Sequence, residues 1–434
     1  MRSSSTRASV TPDRRGADAL RDAGFGVYVH WPYCESICPY CDFNVHLYRS
    51  VDESTWTKAF RSEISHHARL LPGRNVDSIF FGGGTPSLMS PEIVHAVISD
   101  VANAWTVTPR TEITLEANPT SVEAGRFSGY SEAGVNRISI GVQSLVDPDL
   151  KRLGRRHTAA MARQAIDIAR QHFPSVSIDM IYARQHQSVE SWAGELRDAL
   201  CSGVDHLSLY QLTIKPGTRF GSLAKRGKLR GLPGEDLEAD LLEVTDELCS
   251  RSGFPGYETS SYARPGYASV HNLIYWRYGE FAGIGPGADG RIVYNGSARR
   301  THAISGPADW LRSTETTGTG VRLVESLPPD VLCQEYLIAS LRLREGADLD
   351  RYTAIADREN AIPEYQGLVT DGFLDVDGRR LRATQTGRPL LDSVLRELCP
   401  ASPLPGPMGR ERASPGLRGD ESLPGTCSAE RNSC

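Results

Sequence analysis

Residues Val27 to Asn44 read VYVHWPYCESICPYCDFN, a run of valines and aromatics that breaks into a loop carrying Cys34, Cys38 and Cys41. The alternating apolar residues of Val27–His30 predict a strand. The loop then delivers three thiols at that strand's C-terminal end, with three and then two residues between them. The chain holds nine cysteines; the other six, Cys201, Cys249, Cys333, Cys399, Cys427 and Cys434, are scattered. An odd count without an apolar secretory segment argues against a disulfide framework. Clustered thiols in a reducing compartment point to a metal site instead.

Outward from this loop, strand-like runs recur at Ser78–Phe81, Glu112–Glu116, Arg137–Gly141, Val176–Met180 and His206–Tyr210. Stretches with helical spacing separate them, at Thr55–Leu70, Pro91–Ala104, Ala159–His172 and Val189–Cys201. Six strand–helix alternations predict an α/β fold with a parallel sheet, curved into a partial (β/α)6 TIM-like barrel. Such a barrel carries its site at the C-terminal ends of its strands. The sequence agrees: the cysteine loop follows the first strand, Gly82–Gly84 the second, Glu116 ends the third, Gln143 follows the fourth and Asp179 lies near the end of the fifth.

The expected organisation has five parts. Residues 1–24, rich in Ser, Thr and Arg, read as a disordered extension rather than a transit segment, because no amphipathic apolar face is visible. Residues 25–290 form the partial barrel with an extension, 291–327 a linker region, and 328–398 a small domain. That domain places a helix near Pro329–Leu343 before short strands near Phe373–Val376 and Leu381–Ala383, a winged-helix-like order. Residues 399–434, dominated by Pro, Gly, Ser and charges, read as a disordered tail. A net charge of −5 gives no electrostatic case for nucleic acid, and no apolar stretch approaches the length of a membrane span.

Chemistry narrows the occupant of the cysteine loop. A cubane cluster normally takes four thiolates. Three leave one iron open to a small chelator, a role that the amino and carboxylate groups of S-adenosylmethionine (SAM) suit. Zinc is the competing occupant, with His30 or Asp42 completing its four ligands. Tyr40, just before Cys41, offers a ring to the adenine.

The cysteine spacing resembles the radical-SAM superfamily signature. The ordered phrases FFGGGTPS, LEANP, RISIGVQS, RLGRRH, LYQLTIKPGT, HNLIYW and GIGPGADG resemble the HemW heme-chaperone family over roughly residues 26–395. That family is related to oxygen-independent coproporphyrinogen III oxidase. The resemblance implies a radical-SAM barrel with a 4Fe-4S cluster on Cys34, Cys38 and Cys41. It implies SAM contacts from Tyr28, Gly83, Gly84, Thr85, Glu116, Gln143, Arg155 and Asp179, and heme binding by His271, Asn272, Tyr275 and Trp276. It assigns no catalytic residue.

Two functions follow from the resemblance. One is a heme chaperone that passes heme to an acceptor protein and draws on an electron donor. The other is radical oxidative decarboxylation of coproporphyrinogen III. The oxidase-type motif has a further cysteine two residues after the third, where this chain has Phe43, which favours the chaperone. The resemblance implies a cytoplasmic protein, mitochondrial in a eukaryote, compatible with a homodimer and touching a membrane only through an acceptor. The chain departs from the family in having Asp289 where GxGAHG has histidine, and Gln185–His186 at the turn after the fifth strand.

Overall fold

The computed structural model describes residues 14–358 and 362–399. Its main body is one eleven-stranded sheet. In chain order the strands are β1 (Phe25–Trp31), β2 (Ser78–Gly83), β3 (Glu112–Ala117), β4 (Arg137–Gln143), β5 (Ser175–Tyr182), β6 (His206–Gln211), β7 (Ser261–Ala263), β8 (Glu280–Ile284), β9 (Asp289–Tyr294), β10 (Ser297–Ala303) and β11 (Val321–Ser326). Their order across the sheet is β11-β10-β9-β8-β1-β2-β3-β4-β5-β6-β7. The stretch from β8 through β1 to β6 is parallel, and the pairs toward both edges are antiparallel. Because β7 and β11 are edges, the barrel stays open, the partial barrel read from the sequence.

Parallel strands are covered on both faces and so read as nearly unbroken apolar runs. β1 follows this pattern, with six of its seven residues buried. Crossover helices cover the outer face. They include α2 (Glu53–Leu70), α3 (Pro91–Ala104), α4 (Ala159–His172) and α5 (Val189–Leu200); α1 (Arg14–Arg21) precedes them in the chain. α2 buries Trp56, Ala59, Phe60, Glu63, Ile64 and His67, one stripe at helical spacing. Asp52, Ser90, Thr158 and Ser188 cap these four helices by accepting from N–H groups of the first turn.

Two boundaries differ from the sequence reading. The segment expected as a linker, 291–327, carries most of β9, all of β10 and β11, and a helix, Pro307–Thr317. Tyr294-Asn295-Gly296-Ser297 closes the β9–β10 hairpin, with φ of 50° at Asn295 and 76° at Gly296. An Asn-Gly turn with both residues left-handed matches strand twist. The expected N-terminal extension includes α1, because Ala19 and Leu20 are buried against the C-terminal unit and the Ala19 carbonyl accepts from Arg351. Residues 1–13 and 400–434 lie outside the described residues, and Cys399 is buried rather than part of a tail.

The C-terminal unit runs helix (Pro329–Ser340), strand (Ala347–Asp348), helix (Leu349–Ala356), helix (Gln366–Thr370), strand (Leu374–Asp377), strand (Arg380–Ala383) and helix (Leu391–Leu398). It has its own core, to which Leu332, Leu337, Leu349, Leu381 and Leu395 contribute. Glu63, inside α2, stitches the sheet extension to the barrel. Its carboxylate accepts from Gly285 N (2.7 Å), Gly320 N (2.9 Å) and Trp310 Nε1 (3.0 Å). Burial pushes its pKa up to about 7 against the pull of those donors.

Candidate functional site

At the C-terminal ends of the strands lies a cavity of about 330 Å³. Cys34, Cys38, Cys41, Gly83, Gly84, Thr85, Glu116, Gln143, Arg155 and Asp179 all line it. Ten sequence-derived candidates, far apart in the chain, thus face one space. The strand order explains this, since each residue ends or follows a neighbouring parallel strand.

The cysteine loop is held from both sides. Thr85 Oγ1 donates to Cys34 Sγ and an Arg155 nitrogen to Cys38 Sγ, each at 3.4 Å. Asn44 donates to the carbonyls of Pro286 (3.0 Å) and Ser305 (2.9 Å), and its own carbonyl stands 3.0 Å from His30 Nε2. Burial raises the pKa of Cys34 and pushes Cys41 up to about 12. Among the described residues, no three Cys, His, Asp or Glu side chains gather as ligands of a single metal ion would. His30 is already engaged by Tyr28 and Asn44, so it is not poised to complete a zinc set. Three soft donors spread around a cavity fit the separate corners of a four-iron cluster.

Glycines make room for close approach. At Gly83, φ is +108° and a Cβ would meet the His30 ring at 2.6 Å; at Gly84 it would meet the carbonyl oxygens of Tyr33 and Trp31 at 2.7 and 2.9 Å. Gln143 has a φ of 65° where the β4–β5 register shifts, so a bulge aims it into the cavity. An Arg155 nitrogen donates to Asn118 Oδ1 (2.6 Å) and to the Gly141 carbonyl (2.9 Å). Asn118 Nδ2 in turn donates to Thr85 Oγ1 at 3.2 Å. Asn118 therefore couples two candidate positions. Sequence reasoning passed over it, although it stands in LEANP, two residues after Glu116.

Two buried carboxyls share the cavity. Burial, and then the nearby Asp179, push Glu116 up to about 8. Burial also raises Asp179, while Ser208 and Ser139 pull it back; Ser139 Oγ donates to it at 3.1 Å. Tyr28 is not part of the lining. Its hydroxyl lies 3.1 Å from His30 Nδ1, so it reaches the cysteine loop through that imidazole. Tyr40 lines the cavity and packs toward Phe220, with ring centroids 6.4 Å apart.

The HNLIYW phrase lies elsewhere. It forms a short helix, Val270–Trp276, whose first turn is held by Glu112, the residue that opens β3. Glu112 accepts from the Val270 and His271 amides, both at 3.1 Å. This helix therefore closes the N-terminal end of the barrel, opposite the cysteine loop. His271 is buried, with Nδ1 2.9 Å from Ser78 Oγ and its ring stacked on Phe80 at 4.6 Å. Burial lowers its pKa to about 3, so the imidazole is neutral. Tyr275 packs on Phe281 at 4.1 Å, and Asn272 and Trp276 are half-buried. The expected heme residues thus lie at the end away from the cysteine loop, and of the expected SAM residues Tyr28 stands between the two, its ring stacked on His271 at 6.1 Å and its hydroxyl at His30.

Asp289 has a partner that was not foreseen. It pairs across the β9–β10 hairpin with His302, whose Nδ1 lies 2.7 Å from Asp289 Oδ1. An imidazole is therefore present beside position 289, supplied by the next strand. It could have been found only by recognising the Asn-Gly turn and counting back along both strands.

Comparison with known proteins places this architecture. The Radical SAM superfamily pattern matches residues 28–198. The chain is similar to mouse "Radical S-adenosyl methionine domain-containing protein 1, mitochondrial", 39% identical over 86% of this chain and 87% of that protein. It is similar to "Heme chaperone HemW" of Escherichia coli, 36% identical over 85% of this chain and 96% of that protein. Among solved structures it resembles the coproporphyrinogen III oxidase HemN of Escherichia coli, with a TM-score of 0.72 and 23% identity over 87% of this chain and 91% of that one, a likeness of fold.

Proposed function

The chain belongs to the radical SAM superfamily and, within it, to the family of the HemW heme chaperones, and from that membership we propose that it binds heme and delivers it to an acceptor protein. The observation that carries this reading is a likeness to named heme chaperones that runs through most of the chain. Phe43 supports it, standing where the oxidase-type motif has a cysteine.

A 4Fe-4S cluster and SAM are the cofactors of this family, and the cluster, when bound, supplies the electron that cleaves the SAM sulfonium. Cys34, Cys38 and Cys41 would hold it. Gly83, Gly84 and Thr85 offer backbone groups to the SAM amino end, and Arg155 offers its planar fork to the carboxylate. Glu116, Gln143 and Asp179 would accept from or orient the ribose. An electron donor and a heme acceptor complete the partners, in a cytoplasmic setting or, in a eukaryote, a mitochondrial one. No helix among the described residues is long and apolar enough to cross a membrane.

The test uses one anaerobic sample of reconstituted full-length chain, titrated with heme, challenged with an apo heme protein, and assayed with coproporphyrinogen III, SAM and reductant. Heme uptake and transfer without decarboxylated product is expected. Porphyrinogen turnover without heme transfer would replace the chaperone by the oxidase.

Glu116 gives a sharper check on the SAM contacts. Its raised pKa means that the folded chain favours the protonated carboxyl. That contribution to stability is complete below about pH 4.5 and is lost as pH rises through about 8. Cationic SAM favours the ionised form, so wild-type affinity should gain up to about tenfold more between pH 7 and 9 than that of Glu116→Gln. Calorimetric SAM titrations of the cluster-loaded proteins measure the difference. Parallel pH profiles would remove Glu116 from the SAM site.

A further inference from the structure

Asn118 directly follows β3, and its backbone is held before its side chain makes any contact. Pro119 comes next, and a residue before proline is biased to extended backbone. The Asn118 N–H donates to Oε2 of the buried Glu123 at 3.0 Å. From this fixed point the side chain lines the cavity and bridges two of its walls. Its Oδ1 accepts from Arg155 (2.6 Å) and its Nδ2 donates to Thr85 Oγ1 (3.2 Å). Those two partners are the ones that reach the cysteine loop: Thr85 donates to Cys34 Sγ and Arg155 to Cys38 Sγ, each at 3.4 Å.

Donor chemistry sets the direction of every bond in this chain of contacts. A guanidinium can only donate, so the amide atom that faces Arg155 is the oxygen, and the amide nitrogen then faces Thr85. A hydroxyl carries a single proton. Because Thr85 Oγ1 accepts from Asn118, that proton is free to point at Cys34. Arg155 Nη2 is held by Asn118 and by the Gly141 carbonyl (2.9 Å), which places Nη1 at Cys38. One amide thus aims the donors at two of the three loop thiols. Hydrogen bonds to cluster sulfurs stabilise the reduced, more negative state and so raise the reduction potential.

We infer that Asn118 is a positioning residue for the 4Fe-4S cluster: by aiming the Thr85 hydroxyl at Cys34 and the Arg155 guanidinium at Cys38, it holds the cluster at a higher reduction potential than the thiolates alone would give. The inference rests on the cluster site and not on heme delivery. A merely structural amide would change stability and leave the potential where it was.

The test is an anaerobic redox titration of the reconstituted full-length chain, without SAM, followed by electron paramagnetic resonance of the reduced cluster. It compares wild type with Thr85→Val, Thr85→Ser, Asn118→Leu and Asn118→Asp at matched iron and sulfide content. Thr85→Val and Asn118→Leu should each lower the ratio of reduced to oxidised cluster at a fixed solution potential by up to about tenfold, which is about 59 mV for one electron. Thr85→Ser keeps the hydroxyl and should keep the wild-type potential. Asn118→Asp, close in size to the wild type, carries the comparison if Asn118→Leu does not hold the cluster. It still accepts from Arg155 but gives Thr85 an acceptor in place of a donor, so the hydroxyl proton turns away from Cys34 and the potential falls. Part of each Asn118 effect should vanish in a Thr85→Val background, because that part runs through the hydroxyl. Wild-type potentials in Thr85→Val and the Asn118 variants, or Asn118 effects that Thr85→Val leaves intact, would overturn the assignment. A wild-type chain that takes up no iron and sulfide would remove the cluster site and this inference together, whatever the result of the heme-transfer assay.

Discussion

Replacing Cys34, Cys38 and Cys41 together by alanine is expected to leave a folded chain without iron, acid-labile sulfide or SAM binding. The thiols carry little of the fold. Their side chains lie in a half-buried loop, and their hydrogen bonds, such as those from Thr85 and Arg155 at 3.4 Å, are long thiol contacts. Loss of such contacts costs about 1 kcal/mol or less. The loop itself is held by Asn44, which the triple variant retains. Each single alanine variant should behave nearly as badly as the triple, since two thiolates do not secure a cubane and ligands acting as a unit are not additive. Iron and sulfide analysis after anaerobic reconstitution, with SAM calorimetry on the same samples, reads this directly. Undiminished iron, or one zinc per chain with no sulfide, would refute the cluster site.

The second large effect lies beneath the cavity wall. Arg184 is 4% exposed and forms ion pairs with Glu195 and with Asp149, the latter at 2.9 Å; it also donates to the Ile181 carbonyl at 2.6 Å. Glu195 in turn accepts from Ser144 Oγ (2.6 Å) and Leu145 N (2.7 Å), the two residues after Gln143. Arg184→Met leaves the Glu195 carboxylate buried with its main positive partner gone. Removing one member of a buried pair costs about 3–5 kcal/mol, because the stranded charge is desolvated. Denaturant unfolding of the cluster-free chain should show that loss. The double variant Arg184→Met/Glu195→Met should recover part of it, since no charge is then stranded. A single variant as stable as wild type would show that solvent reaches Glu195.

The central six strands were legible because each is an apolar run, and because the cysteine loop, Gly82–Gly84, Glu116, Gln143 and Asp179 stand at the C-terminal ends of five of them. Pro91–Ala104 and Ala159–His172 came out to the residue, for a helix begins where Pro follows a capping Ser or where a Thr cap stands. The β8–β11 extension was not legible. EFAGI is only five residues long, and ARRTHA within β10 is mostly polar, since one of its faces meets other protein while the other carries Arg300 and His302. The one signal there was Asn295-Gly296. For the same reason the Asp289–His302 pair was hidden, because a cross-strand neighbour exists only once the register is known. Asn118 was hidden differently. Its position at a strand end was clear, but a lone asparagine gives no sign that its amide spans Thr85 and Arg155.

Asn44 also bears on the order of events during synthesis. The loop at residues 34–41 leaves the ribosome early, yet its anchors, the carbonyls of Pro286 and Ser305, lie 242 and 261 residues further along the chain than Asn44. Likewise β8, which lies directly beside β1, is among the last strands of the sheet to be made. At ordinary translation rates of about 5–20 residues per second, the three thiols wait on the order of tens of seconds before their seat exists. A cluster held by these thiols would therefore be loaded only after the chain has been made past Ser305.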